Sequence, residues 1–384
     1  MSPTRLVRLL AGLVMVVGIM TAFPGPLPAA GPLLDDIIQD EAYWISLTQV
    51  PPGRGPASGA IARYRLDEHT TQAYISPYDG TVGARGMLLG GPRYQPMVRA
   101  WIDWYFANVN WPDYSGVYGT VHDYWANPQT GDQQLVIDPL TGEGRYDSTD
   151  AYAGVFLSLL RAYAEQVPDD HDYLRQRRYL IDVIANVVIA TKHENGLTGA
   201  RPDWGGEYLL DNIDAEQGLA DYVWLAENVL DEPGVGAYWT GEAESLRAAI
   251  EYELWISEVG MYKWASDQSN PSWDTFYADA TSQSWPIIYR HADSSRGLGL
   301  WATFNAIWPQ WVTSADNPGT PDQQPWAVLA VAAAVMGERQ QTLDYLSGSE
   351  QTWVSTGRPW PWSVNDSTHR AMAAAAARDA GWAG

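Results

Sequence analysis

The chain of 384 residues contains no cysteine. This absence excludes disulfide bonds, thiolate metal ligands and cysteine nucleophiles. The fold must therefore be stabilised by its own hydrophobic core, and a mature chain of roughly 350 residues is long enough to bury a large one.

Basic residues are also scarce. Lys192 and Lys263 are the only lysines, and 46 acidic side chains outnumber 23 basic ones. Nucleic acids and polyanionic glycans are disfavoured as partners, because their binding depends on cationic side chains that neutralise their charge. Much of the acidic surface can equally be explained as a feature that keeps the protein soluble.

Motifs for metals and cofactors are missing. The six histidines are scattered without a His-Glu-x-x-His pattern, and no Walker A loop, dinucleotide fingerprint or EF-hand spacing occurs. Gly-x-Ser-x-Gly is absent as well, which disfavours an α/β serine hydrolase. The sequence thus predicts neither a cofactor nor a metal.

Phenylalanine is rare among many aromatic residues: the chain has 5 Phe but 20 Trp and 22 Tyr. Trp and Tyr combine a flat apolar face with a polar edge, and this suits a partly hydrated cleft better than a dry core. Sugar rings present C–H faces that stack on such planes. We therefore expect an oligo- or polysaccharide partner, although core packing could account for many of these residues.

The N-terminal segment has the order of a secretory signal. Arg5 and Arg8 precede an apolar run from Leu9 to Ala22, and prolines and small residues follow it. Residues 1–30 are predicted to be a signal peptide and residues 31–384 a single domain. A secreted or cell-envelope monomer is expected; an uncleaved segment acting as a membrane anchor is the alternative.

Helical periodicity dominates the remaining chain, because apolar residues recur at three- and four-residue spacing. A further helix is expected within His69–Leu89, a small hairpin at Gly260–Ala265 and an irregular excursion at Tyr118–Val136. The predicted helices are Leu33–Thr48, Tyr94–Asn108, Ser148–Gln166, Tyr173–Thr191, Asn212–Leu230, Thr240–Trp255, Ala278–His291, Ser294–Trp308, Trp326–Met336, Glu338–Leu346 and Ser367–Ala380.

A D-x-x-D-A-x-x-G pattern opens two of these helices, at residues 147–154 and 211–218. A weaker copy has Asp279-Ala280, so the Asp-Ala steps at 150, 214 and 279 are separated by 64 and then 65 residues (214 − 150 and 279 − 214). That period fits a helical hairpin with its loops. Alternate helices would then form an inner ring and begin on one face.

This organisation resembles the six-hairpin, (α/α)6-barrel glycosidase superfamily. The resemblance also draws on the segments Tyr74–Tyr78, Gly119–Tyr124 and Tyr146–Tyr152. It covers most of the mature chain but is architectural, since no single family's catalytic motif matches. It implies an all-α (α/α)6 toroid and a glycoside hydrolase activity, and the superfamily also contains non-hydrolytic members.

Glycoside hydrolysis needs two carboxyl groups, one as acid and one as base or nucleophile. Asp147 and Asp211 are the residue type of helix N-caps, and Asp150 and Asp214 follow three residues later. We interpret the first member of each pair as an N-cap and favour a functional role for the second, because a capping box usually has Glu or Gln at that position. A pair from neighbouring inner helices suits the wider spacing of an inverting enzyme. The catalytic candidates are Asp150, Asp214, Asp147, Asp211, Asp123 and Glu216.

Aromatic residues near these acids are candidates for substrate contact. They are Tyr78, Trp125, Tyr146, Tyr152, Trp204, Tyr208 and Trp285. The sequence therefore predicts an exported, inverting glycoside hydrolase acting on a neutral or weakly charged glycan. The alternatives are a non-catalytic glycan-binding or envelope-polysaccharide assembly protein, and a polysaccharide lyase, which the scarcity of lysine disfavours.

Overall fold

A computed structural model of the protein describes residues 33–232, 234–313 and 324–382. Thirteen α-helices and five short β-strands occur in these ranges. The predicted export signal lies outside the described residues and stays a prediction, as does the boundary of the single domain that follows it.

Six helices form an inner ring. They are α2 (Pro77–Leu89), α4 (Thr149–Gln166), α7 (Leu209–Asn228), α9 (Ser284–Ile288), α11 (Val328–Val335) and α13 (Val364–Asp379). Each packs against the next in this order, and α13 packs back against α2. The ring is therefore closed.

The other helices surround this ring. They are α1 (Leu34–Ser46), α3 (Gln95–Ala107), α5 (His171–Gln176), α6 (Arg178–Ala190), α8 (Gly236–Leu254), α10 (Ser294–Ile307) and α12 (Arg339–Ser349). Each inner helix follows an outer helix in the chain, with α5 and α6 sharing one outer position. The described residues thus form six helical hairpins, and the predicted all-α (α/α)6 toroid is confirmed.

Burial patterns explain why particular helices lie inside or outside. The outer helix α6 buries one stripe, formed by Ile181, Ile184, Ala185, Val187 and Val188, as expected of an amphipathic surface helix. The inner helix α4 instead buries residues on all of its faces, because it contacts both ring neighbours and the outer layer.

Helices α4 and α7 approach each other at two glycines. A Cβ atom on Gly154 would lie closer than 3.0 Å to the backbone carbonyl oxygen of Asp214, and one on Gly218 would lie equally close to the backbone of Gly154. The repeated glycines of the D-x-x-D-A-x-x-G pattern therefore allow the two helix backbones to touch.

A buried ionic cluster joins the first and last helices of the described part of the chain, where the ring closes. Arg370 on α13 is fully buried and donates to Glu41 on α1 at 2.5 Å and to Glu350 after α12 at 2.6 Å. Arg358 also donates to Glu41, at 2.9 Å. Since a buried charge is costly without a partner, these contacts fix α1, α12 and α13 in one arrangement.

A small antiparallel sheet takes one strand from the segment His69–Leu89, in which a helix was expected, and two strands from the predicted irregular excursion at Tyr118–Val136. Its strands are β1 (Ala73–Ile75), β2 (Tyr124–Ala126) and β3 (Gln133–Leu135), in the order β1-β2-β3. Sequence periodicity missed the sheet because each strand has only three residues and because α2 and α3 separate β1 from β2 in the chain. The predicted hairpin near Gly260 is present as β4 (Trp255–Ile256) and β5 (Met261–Tyr262).

A search of the helices in the described part of the chain finds none that combines the length and apolar character needed to cross a membrane.

The glycine contact between α4 and α7 is testable by substitution. Gly154→Ala should lower the free energy of unfolding by about 2 kcal/mol or more, because the added methyl group forces two backbones apart. Gly241→Ala is the matched control, since Gly241 lies exposed in α8 with open space around it. That substitution should raise the free energy by about 0.5–1 kcal/mol. Denaturant unfolding would measure both, and equal effects would contradict the close packing.

Candidate active site

The N-terminal ends of the inner helices surround one cavity of about 440 Å³. A volume of this size is typical of a small-molecule site. Its wall includes Arg63, Tyr74, Tyr78, Asp79, Arg145, Asp147, Ser148, Tyr152, Asp211, Tyr277, Trp285, Trp326, Asn365, Asp366 and His369. The prediction that alternate helices begin together on one face is therefore correct.

A smaller space of about 20 Å³ adjoins the cavity and shares His369 and other wall residues with it; Arg85, Tyr289 and Met372 also line this space. Burial beside Arg85 lowers the pKa of His369 to about 4, with burial the larger cause. His369 is therefore a neutral imidazole at ordinary pH. Among the described residues, carboxyl groups and aromatic rings line the larger cavity.

Asp211 is the third residue of α7 and lines the cavity. The Ser148 hydroxyl, on the neighbouring helix start, donates a hydrogen bond of 2.9 Å to its Oδ2. Burial raises the pKa of Asp211 well above its usual value, and the negative charges of Asp150, Asp214 and Asp147 add to the effect. Asp211 therefore keeps its proton at pH values at which an ordinary aspartate has lost it.

Asp147 lies two residues before the first residue of α4 and is exposed to the cavity. Its carboxylate has no hydrogen-bond or ion-pair partner among the described residues. Its charge contributes to the raised pKa values of Asp79, Asp123 and Asp211, so it lies within electrostatic range of all three.

The N-cap interpretation of Asp147 and Asp211 was wrong. Ser148 precedes α4 and Tyr208 precedes α7 as the capping residues, and neither makes a side-chain cap hydrogen bond. The helix starts thus leave both aspartates available to the cavity.

Asp150 and Asp214 are sealed in the wall behind the cavity, with exposed fractions of 0% and 1%. Thr198 donates to Asp150 Oδ2 at 2.6 Å and Tyr78 donates to Asp214 Oδ2 at 3.0 Å. Burial raises the pKa of Asp150 to about 7 and that of Asp214 to about 6. Neither lines the cavity, so the structure does not support direct catalytic roles for them.

Asp123 is also fully buried, one residue before β2. The hydroxyls of Tyr74 and Tyr152 donate to its two carboxylate oxygens at 2.6 and 2.9 Å. Burial raises its pKa to about 7. Both tyrosines line the cavity, so Asp123 supports the wall from behind and does not itself reach the cavity.

Glu216 points away from the cavity. Its carboxylate pairs with Arg247 at 3.2 Å and His291 at 3.1 Å, which joins α7 to the outer layer. Its inclusion among the catalytic candidates is corrected: the side chain has a structural ion pair and does not line the cavity.

Two acidic residues of the cavity were missed by sequence reasoning. Asp79, the third residue of α2, accepts from Asn365 at 2.7 Å and faces Arg63 at 3.7 Å, and burial raises its pKa. Asp366, the third residue of α13, forms a capping box with Ser363, and burial raises its pKa to about 6. Both follow a serine by three residues, which is the signal that could have revealed them.

The predicted aromatic contacts divide into two groups. Tyr78, Tyr152 and Trp285 line the cavity as expected, and Tyr277 and Trp326 line it without having been predicted. With Tyr74, which was not predicted either, six Tyr and Trp rings line the cavity that Asp147 and Asp211 also line.

The remaining four aromatic candidates lie elsewhere, which corrects their assignment to this cavity. Tyr146 is buried in a stack with His122, and Tyr208 is stacked on Trp264. Trp204 is exposed in a loop beside Arg201. Trp125 contacts the ring of Tyr74 but faces a separate groove.

Solved structures with glycosidase names share this fold. One named "Glycosidase Wild Type" has a TM-score of 0.60 at 14% identity, covering 91% of this chain and 97% of that one. A variant glycosidase in complex with glucose has a TM-score of 0.57 at 15% identity, with the same coverage. A rhamnosidase from Klebsiella oxytoca with rhamnose bound has a TM-score of 0.56 at 14% identity, covering 92% of this chain and 65% of that one.

No family model matches the chain, and no curated protein matches it. At the identities of the solved structures, the likeness concerns the fold. The expected resemblance to the six-hairpin glycosidases is thus confirmed at the level of architecture.

The buried carboxyl groups predict how stability depends on pH. Asp123, Asp150, Asp214 and Asp366 have folded pKa values of about 6 to 7, against 3.8 for an ordinary aspartate. Between these values the folded protein keeps protons that the unfolded chain has released. These groups therefore make the free energy of unfolding fall as pH rises from about 4 to about 7.

Asp150→Asn should flatten that decrease by up to about 1.4 kcal/mol per pH unit, because it removes one of the retained protons. Denaturant unfolding at several pH values measures the slope. Asp267→Asn, at an exposed position, should leave the slope unchanged. A wild-type slope that Asp150→Asn does not alter would contradict the raised pKa.

Proposed function

We propose that the protein is an exported glycoside hydrolase that cleaves a neutral or weakly charged glycan with inversion, using Asp211 as the general acid and Asp147 as the general base. One observation carries this proposal: the two carboxyl groups begin neighbouring inner helices, line the same aromatic cavity and have opposite environments.

A general acid must hold a proton at working pH and release it to the leaving oxygen. Asp211 has a raised pKa because it is desolvated and surrounded by Asp150, Asp214 and Asp147. The Ser148 hydroxyl fixes its Oδ2, which leaves Oδ1 as the oxygen to carry the proton toward a bound sugar.

A general base must be ionised and reach water. Asp147 is exposed in the cavity and engages no donor among the described residues, so its carboxylate can accept a proton from a water molecule. An inverting enzyme needs room for that water between its two carboxyl groups. Carboxyl groups at the starts of two neighbouring helices leave this room more readily than two carboxyl groups on the same helical turn.

The proposed reaction transfers one proton from Asp211 and one proton to Asp147. Asp211 gives its proton to the glycosidic oxygen as the bond from that oxygen to the anomeric carbon breaks. The oxygen of water bonds to the anomeric carbon from the opposite side, and its released proton goes to Asp147. Asp211 is then ionised and Asp147 protonated, and proton exchange with solvent restores the starting states.

The substrate class follows from the wall of the cavity. Tyr78, Tyr152 and Trp285 offer planes on which sugar rings stack. Arg63 and Arg145 are present but face the carboxylates of Asp79 and Asp123, so they are poorly placed to attract a uronate. The neighbours named for glucose and rhamnose complexes support a neutral sugar. The N-terminal sequence supports action outside the cytoplasm.

Single substitutions test the two roles. Asp211→Asn and Asp147→Asn should each lower kcat/KM by about 10²- to 10⁴-fold, because each removes one proton transfer. Asp267→Asn is the control for loss of a carboxylate at an exposed site. A panel of neutral oligosaccharides would identify a substrate, and proton NMR of the first product formed would show the inverted anomer.

Each variant should keep the unfolding transition of the wild-type protein. A loss of turnover can then be attributed to the missing proton transfer and not to misfolding. Retention of more than about a tenth of wild-type kcat/KM in both variants would refute the assignment. Binding of a glycan by the wild-type protein without any product would instead favour the non-catalytic glycan-binding function, and an ultraviolet-absorbing unsaturated product would reveal a lyase.

A further inference from the structure

The three-stranded sheet presents a second surface outside the cavity. Tyr74 of β1 lies opposite Trp125 of β2, and Trp125 lies opposite Gln134 of β3. These three side chains therefore lie side by side on one face of the sheet. Side chains alternate across a strand. Gln72, Asn127 and Asp132, each two residues away, therefore extend the same face.

The opposite face of the sheet is turned to the core. Ala73, Ile75, Tyr124 and Ala126 on that side are all buried. The outward face thus combines a tryptophan with three amide side chains, and Asp132 is its one acidic member.

An open groove of about 400 Å³ runs over this outward face and is lined by Trp125, Gln72, Asn127, Asp132 and Gln134, among others. Gln72 and Gln134 are exposed, and their side chains make no hydrogen bond with any described residue. Their amides can therefore donate and accept without giving up an internal partner.

The groove and the cavity meet at one aromatic contact. The Tyr74 and Trp125 rings lie with their centroids 5.3 Å apart. Tyr74 lines the cavity, while Trp125 lines the groove. A chain of sugar rings leaving the cavity past Tyr74 would next reach the Trp125 ring.

We infer that the groove formed by Gln72, Trp125, Asn127, Asp132 and Gln134 is an additional sugar-binding site, which holds an outlying residue of a neutral polysaccharide whose end occupies the cavity. This inference deepens the proposed function and rests on it. Trp125 supplies a plane for stacking, and the amides of Gln72 and Gln134 supply hydrogen bonds to hydroxyls. Asp132 and the lack of a basic side chain among these residues disfavour an anionic glycan.

Affinity electrophoresis tests the groove without relying on turnover. Wild-type protein would run in native gels containing amylose, xylan, mixed-linkage β-glucan or glucomannan, with polygalacturonate as the anionic comparison. We expect retardation by at least one neutral polysaccharide and none by polygalacturonate. Trp125→Ala should weaken that binding roughly five- to tenfold, because the stacking plane is lost.

The double variant Gln72→Ala/Gln134→Ala tests the groove independently, in case Trp125→Ala fails to fold. Both glutamine side chains are exposed, so we expect the double variant to fold normally. It should weaken the same binding, whereas Gln351→Ala, also exposed, should not. Wild-type binding to none of the neutral polysaccharides, or equal binding by both groove variants, would overturn the inference. Hydrolysis of a short oligosaccharide in that case would still support the proposed function, so the two failures are distinguishable.

Discussion

The direct backbone contact between α4 and α7 is the constraint on which the site depends. Gly154 and Gly218 lack the Cβ atoms that would separate the helices. The two helix starts therefore lie close enough for Ser148, beside α4, to donate to Asp211 of α7. The same approach places Asp150 and Asp214 in a dry layer behind Asp211, where burial favours the protonated forms.

Each of the two repeated motifs consequently supplies aspartates with different environments. Asp147 and Asp211 reach the cavity, whereas Asp150 and Asp214 lie within the wall. The sealed pair is coupled electrostatically to the cavity, because ionisation of either Asp150 or Asp214 would raise the pKa of Asp211. Asp147 is exposed in the cavity, whereas Asp211 is desolvated. Such a difference in environment separates the base from the acid in glycoside hydrolysis.

The sequence predicted the architecture well because apolar periodicity and the 64-residue repeat both reflect packing within and between helices. It favoured Asp150 and Asp214 for function and interpreted Asp147 and Asp211 as N-caps, and the structure reverses this order. The sequence does not reveal how closely two helix backbones approach, and that approach decides which carboxyl groups are buried behind the cavity wall. Asp79 and Asp366 escaped notice because their helices carry no copy of the motif. The sheet escaped because its strands are short and distant in sequence, and Trp125 was therefore assigned to the wrong surface.

The central claim is that the Asp211 carboxyl group keeps its proton in the resting site and can act as the acid. Carbon-13 NMR of the aspartate side-chain carboxyl carbons, with Asp211→Asn used to assign the Asp211 signal, tests it directly across a pH titration. We expect the pKa of Asp211 to lie well above the ordinary aspartate value, because burial and the neighbouring carboxylates disfavour its ionised form. Titration of Asp211 in the ordinary aspartate range would contradict the claim.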